Sequence, residues 1–349
     1  MLTQETKQQT QQNSALSFEF LKKLSAHYAL PQPRSWYRAK SGHTGETWIV
    51  NLGRIKVVVR RYHPWFDQAW VEYEHSILRH LLQSHFPVPD IIRSAEGEFF
   101  WIHEGGYYTL FEYLEGDVLT HPFQRKIQPQ DVKTAGRTLA HYHRLMENFQ
   151  PDGREAMRGV DYRWCIKELS KYHETIARRN SLSKWDRYVL EHIEEAKGQL
   201  TNLGAFLDNH LTACSKIIIH GDYSPSHVLF RGGKIVGVLD FNNAHSDTRI
   251  TDVARSLTTF SLWFGPRLDL ALGRNFLEAY QEHFPLTETE LDLLPSRMIF
   301  NRLRGLWWDL MQYYDKGQLN LAPRFAHNFE LARWIKKHEA KMRKSWRLN

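Results

Sequence analysis

An α+β chain in two parts, a strand-rich first third followed by a mainly helical remainder, is what this 349-residue sequence predicts. Three observations carry the prediction. Short period-2 runs separated by turn residues crowd between Trp36 and Gly116, with one helical stripe among them. From about residue 117 the apolar spacing becomes that of helices. A strand–loop–strand pattern, IIIHGDYSPSHVLFRGGKIVGVLDFNNAHSDTRITD, then interrupts the helical part at Ile217–Asp252.

The elements follow in order. Residues 1–16 are polar and Gln/Thr-rich and read as disordered. Phe18, Leu21, Leu24 and Tyr28 form a helical stripe that Pro31 and Pro33 end. Three strands are predicted next, around Trp36–Lys40, at Thr47–Asn51 and at Ile55–Tyr62, with turns at Ser41–Gly45 and Leu52–Gly53. In the third, Lys56, Val58 and Arg60 share one face; Ile55, Val57 and Val59 share the other. Arg60 could grip phosphate oxygens or belong to a half-exposed strand with a basic outer face; periodicity does not choose. Gln68–Ser84 reads as a helix with Val71, His75, Leu78 and Leu82 on one stripe and Glu74 beside it. GEFFWIHEGGYYTLFEYLEG supplies two more strands. Residues 17–112 thus form a small five-stranded antiparallel lobe with one helix, and 113–349 a larger helical lobe. Its helices are expected at 131–149, 163–178, 184–208, 251–262, 268–283, 287–317 and 325–345. Leu303, Leu306, Leu310 and Tyr313 make the 287–317 segment a core helix, although Trp307, Trp308 and Tyr314 with Asp309 and Asp315 could cage an amine.

Composition narrows the class. Hydrophobic content is 42% and charged content 24%, as in ordinary globular proteins. Cys165 and Cys214 are far apart and in no metal-ligand spacing, so neither disulfides nor structural zinc is expected. No apolar run approaches the roughly twenty residues of a membrane span, and the N-terminus has no apolar signal core. A cytoplasmic protein is expected. Net charge is +7. From Arg324 onward the many Lys and Arg residues outnumber Glu330 and Glu339, which reads as the solvated face of a terminal helix rather than a nucleic-acid surface.

The chemistry concentrates in Ile217–Asp252. A hairpin turning at Gly232-Gly233 would bring Asp222 and Asp240 to the same end of a small sheet. Two converging carboxylates suit a metal–nucleotide site, one holding the metal and one accepting a hydroxyl proton.

HGDYSPSHVLF, GVLDF and SDTRITDVA together resemble the aminoglycoside phosphotransferase and choline kinase superfamily, from about Tyr37 to Ala254. The resemblance implies a bilobal protein-kinase-like fold that binds ATP between the lobes and moves its γ-phosphate to a hydroxyl of a small metabolite, an amino sugar or amino alcohol. It implies Asp222 as catalytic base, Asp240 as principal Mg2+ ligand, and Asp252 as a buried helix-start residue. His143 and His220 take packing and hydrogen-bonding roles. Ser41, Gly42 and Gly45 would lie over the phosphates, and Val58 would face the adenine. Arg60 would contact phosphate with Glu74 as its partner, and Glu112 and Leu114 would meet the adenine edge. Two positions depart from the pattern. His227 stands where the family has a metal-binding asparagine, and Asn242 where relatives often carry an acid. Fewer oxygen donors imply a weaker second metal site or a preference for Mn2+. They also leave open a catalytically impaired nucleotide-sensing or scaffold module.

Overall fold

The computed structural model describes residues 16–39, 45–119, 127–154, 161–212, 214–262 and 265–346. The chain divides into two compact units. The smaller comprises Met1–Asp117, Gln150–Ala156 and Val236–Asn242; the larger comprises Val118–Phe149, Met157–Ile235 and Asn243–Asn349.

The smaller unit opens with helix α1 (Phe18–His27), whose N-cap Ser17 accepts a hydrogen bond from the Phe20 amide. Strands β1 (Ser35–Arg38), β2 (Gly45–Asn51) and β3 (Lys56–Tyr62) lead to helix α2 (Gln68–Gln83). Strands β4 (Ile91–Ile92), β5 (Trp101–His103) and β6 (Gly106–Glu112) follow. The antiparallel sheet runs β1-β2-β3-β6-β4, with β5 also on β6. It holds one strand more than the five expected: Ile91 and Ile92, read from the sequence as extended chain, pair with Phe111 and Leu110. The two faces of β3 are filled as its alternation requires. Val57 and Val59 pack with Trp48, Leu110, Leu21 and Leu24, a core closed by α1. Tyr62 lies on the opposite face, clustered with Trp70 and Val71 of α2. Ile55 falls in the turn and is exposed. Two later segments complete the unit. The amides of Asp152 and Arg154 donate to Ser76 Oγ (2.9 Å) and to the Ala69 carbonyl (3.0 Å). The Val238 amide donates to the Pro87 carbonyl (2.7 Å).

In the larger unit, after the two-residue strand β7 (Asp117–Val118) that spans the boundary, come α3 (Pro129–Leu145), α4 (Tyr162–Ala177) and α5 (Lys184–His210). Ser183 and Asp186 cap α5 reciprocally. Strands β8 (Lys216–Ile219) and β9 (Val228–Arg231) follow; β10 (Lys234–Val238) begins in this unit and crosses its boundary at Val236, and β11 (His245–Thr248) is antiparallel to β8. Gly232 and Gly233, both at positive φ, make the turn between β9 and β10. Helices α6 (Ile250–Phe260), α7 (Leu270–Gln281), α8 (Glu288–Arg304), α9 (Leu306–Tyr314) and α10 (Arg324–Trp346) finish the chain. The single helix expected over 287–317 is two, divided at Gly305, where a residue without a side chain weakens the helix interior. Leu303, Leu306 and Leu310 are buried core, as their spacing requires. Helix α10 buries Phe325, Phe329, Ile335, Met342 and Trp346, while Arg333 and Arg343 pair with surface acids. Among the described residues no helix is long and apolar enough to cross a membrane, and both cysteines are free thiols.

Candidate active site

The loop between β8 and β9 carries Asp222, and its shape is imposed from below. Asp252, in the first turn of α6 and fully buried, accepts the amides of His220 (2.6 Å) and Gly221 (2.8 Å). Burial acts to raise the Asp252 carboxyl. The His143 hydrogen bond and the backbone donors outweigh it and hold Asp252 below the usual carboxylate range. His143 Nε2 lies 3.3 Å from Asp252, and its Nδ1 lies 2.8 Å from the Tyr280 hydroxyl. Burial pushes His143 down despite the carboxylate, so a neutral ring donates through Nε2 to an ionised Asp252. His220, also fully buried, uses Nδ1 to accept the Asp222 amide at 3.2 Å. It is a structural hydrogen-bonder of the loop. Tyr223 anchors the next position by donating its buried hydroxyl to the Ala135 carbonyl (3.1 Å).

Gly221 is the residue this loop cannot replace. Its φ is +76°, and a Cβ built there would lie 2.2 Å from the Asn243 carbonyl oxygen. Gly221→Ala combines left-handed strain with a backbone clash and is expected to cost more than about 2 kcal/mol. Thermal unfolding reads this directly; a variant melting within a degree of the parent would contradict the packing described.

The Asp222 side chain is held on one side. Arg255, a turn along α6 from Asp252, donates through Nε (2.9 Å) and through a second, shorter contact from Nη2, both to Oδ1. His227 Nδ1 lies 2.8 Å from the Asp222 carbonyl, which can only accept, so Nδ1 carries a proton. Arg255 had no signature in the sequence. Its partner lies 33 residues earlier, and only the packing of α6 under the loop brings them together.

In the smaller unit, Arg60, Glu74 and Asp240 form one cluster. Arg60 donates through Nη1 to Glu74 Oε1 (3.0 Å) and through Nη2 to Asp240 Oδ1 (3.3 Å). Burial acts to lower Arg60, but the two carboxylates more than offset it and raise its pKa further. β3 aims Arg60 at the face that α2 covers, and α2 brings Glu74 there, 2% exposed. Asp240 follows β10 with φ +68°, a left-handed conformation uncommon outside glycine and concentrated at functional sites. Its side chain remains about a third exposed, 32%. Val58 sits on the same face as Arg60, opposite Ile49 and Phe111. Glu112 ends β6 opposite Val57, with its amide on the Asp90 carbonyl (2.9 Å); Leu114 is half-buried just beyond. Gly45 opens β2 where a Cβ would meet the Arg61 carbonyl oxygen at 2.6 Å, so glycine lets the two strands close there. Ser41 and Gly42 lie outside the described residues. Asn242 is buried, 2% exposed.

A model of the phosphotransferase enzyme family matches residues 35–286. The chain belongs to that family. It is a small-molecule kinase, a phosphotransferase with an alcohol acceptor, and its fold is the bilobal protein-kinase-like one. Among similar curated proteins, a homoserine kinase of Methylobacillus glycogenes is 26% identical over 303 residues, covering 86% of each chain. One of Zymomonas mobilis is 25% identical over 252 residues, covering 71% of this chain and 72% of the other. Among solved structures, a microcompartment-associated aminopropanol kinase superposes with a TM-score of 0.69 at 15% identity, covering 93% of this phosphotransferase and 98% of that chain. The amicoumacin kinase hAmiN, solved with AMP-PNP and Ca2+, gives 0.67 at 16% identity, covering 96% of each.

Proposed function

We propose that this phosphotransferase moves the γ-phosphate of ATP to the hydroxyl of a small amino-bearing metabolite, with homoserine the first acceptor to test. The observation that carries the reading is the Asp222 carboxylate, clamped through Oδ1 by Arg255 in a loop that Asp252 makes rigid. A carboxylate fixed at one oxygen presents the other in a defined direction. There it orients an acceptor hydroxyl for in-line attack and takes its proton late. Support for ATP comes from solved neighbours that carry AMP-PNP or ADP, and for the acceptor from relatives named as homoserine kinases.

On the nucleotide side, Arg60 neutralises phosphate oxygens while Glu74 keeps it extended along its strand face. Val58, Glu112 and Leu114 border the adenine, and Gly45 borders the phosphates. The donors suit a divalent ion. Asp240 offers hard carboxylate oxygen and is partly exposed. His227 spends its Nδ1 proton on a backbone carbonyl, the arrangement that orients a metal-binding imidazole through its other nitrogen. Asp240 and His227 are each proposed as a ligand for a divalent ion, Mg2+ at the carboxylate or, given the imidazole, Mn2+. A bound divalent ion supplies charge neutralisation of the transferring phosphoryl group.

The test is an acceptor panel with ATP and either metal, read by mass spectrometry for addition of one phosphoryl group. Transfer to homoserine or an amino alcohol is the expected result. Metal-dependent ATP binding without transfer to any acceptor would replace the reading with a nucleotide-sensing module.

A further inference from the structure

Of four arginines in the larger unit, Arg255, Arg297, Arg302 and Arg324, three have a carboxylate partner. Arg255 is taken by Asp222, Arg297 by Asp247 at 3.0 Å, and Arg324 by Asp309 at 3.1 Å. Arg302, in the last turn of α8, pairs with no carboxylate among the described residues. Its one described hydrogen bond is long, Nη1 to Asn328 Oδ1 at 3.4 Å, and its Nε is buried without a partner. Asp309 does not fill the gap, because Asn328 donates to it at 2.6 Å and Arg324 already pairs with it. The end of α8 is pinned against α6 by Asn301, whose amide donates to the Thr251 carbonyl (3.2 Å) and whose Oδ1 is likewise buried and unmet. Burial, and then the like charge of Arg255, push Arg302 down to about 10, with Asp309 and Asp222 opposing too weakly. A half-buried cation with a buried, unmet Nε and a cationic neighbour is costly for a folded protein to keep. Such groups persist where something else supplies the partner.

We propose that Arg302 binds a carboxylate on the acceptor, so that this kinase phosphorylates hydroxylated carboxylic metabolites, such as a hydroxy amino acid, in preference to polycationic sugars or plain amino alcohols. The proposal rests on the reading that the acceptor hydroxyl meets Asp222. The guanidinium fork matches a carboxylate through two parallel hydrogen bonds. The same surplus positive charge repels a polycation. In this proposal the acceptor hydroxyl meets Asp222, clamped by Arg255 of α6, and its carboxylate meets Arg302 of α8, two helices that the Asn301–Thr251 hydrogen bond holds together.

Two measurements test this separately from the kinase assignment. The first compares homoserine with 3-aminopropan-1-ol, which lacks only the carboxylate. Wild type should favour homoserine by roughly 10- to 100-fold in kcat/KM, the range of a lost charge-assisted hydrogen bond. Arg302→Gln should collapse that ratio towards one, and Arg302→Lys should restore part of it. A wild-type ratio near one, or a ratio that Arg302→Gln leaves intact, overturns the proposal. The second needs no turnover. Thermal unfolding is followed with 2-aminobutyrate, which is homoserine without its hydroxyl, and with propylamine, which also lacks the carboxylate. Stabilisation of the wild type by the first alone, lost in Arg302→Gln, supports carboxylate capture; equal responses refute it. If no acceptor is phosphorylated, the proposed function fails while this second measurement still decides the role of Arg302. If Arg302→Gln does not fold, the wild-type comparison of the two ligands decides it.

Discussion

Asp222→Asn is expected to lower kcat for the best acceptor by roughly 10²- to 10⁴-fold, the usual contribution of a positioned general base, while ATP still stabilises the protein. The amide keeps the shape and can still accept from Arg255, so the clamp at Oδ1 survives in weaker form. What is lost is a negative oxygen able to hold and then take the acceptor proton. KM for ATP should change little, because Arg60, Glu74 and Asp240, the residues proposed to face the phosphates, form a cluster of their own. The measurement is a pair: initial rates with saturating acceptor, and ATP-dependent thermal stabilisation. Near wild-type turnover in Asp222→Asn would remove Asp222 from the reaction; loss of nucleotide binding along with turnover would mean that the substitution had disturbed the fold.

Asp240→Asn is expected to abolish both metal-dependent nucleotide stabilisation and turnover. Asparagine is the control of choice because it also tolerates the left-handed conformation at φ +68°, so the change isolates charge from strain. Arg60 retains Glu74, and the asparagine Oδ1 can still accept from its Nη2, so only the charge of the second partner is lost. The unliganded protein should therefore melt close to the parent, and the difference between ATP with metal and ATP with chelator should vanish. An Asp240→Asn protein that still shows this difference would show that the ion is held elsewhere.

The legible parts of the site were those that local pattern can encode. Period-2 alternation separated Val57 and Val59 from Arg60, and helical spacing placed Glu74 beside the stripe of α2; the ion pair between them follows once strand and helix pack. Asp252 stood out through the SDTRITDVA part of the family resemblance, and Gly221 only as the middle of HGD. Arg255 and Arg302 did not. An arginine on a helix surface and an arginine aimed at a buried carboxylate have the same local spacing, and tertiary packing alone tells them apart. The break at Gly305 escaped for a related reason, since the apolar stripe on its two sides is continuous in sequence. Ile91–Ile92 was too short for any period to register.

The interleaving of the chain has a consequence for how the protein can be made. The smaller unit is not finished when the ribosome passes Asp117, because it still awaits residues 150–156 and 236–242. Until those arrive, the carbonyls of Ala69 and Pro87 lack the amides of Arg154 and Val238, and Arg60 has only Glu74 as a partner. A nascent or recombinant fragment ending at Asp117 would expose those groups and fray, whatever the quality of its sheet. The smaller unit is complete in sequence once Asn242 is made, whereas the loop of Asp222 still awaits Asp252 and Arg255, so the Arg60 cluster has all its residues before that loop does.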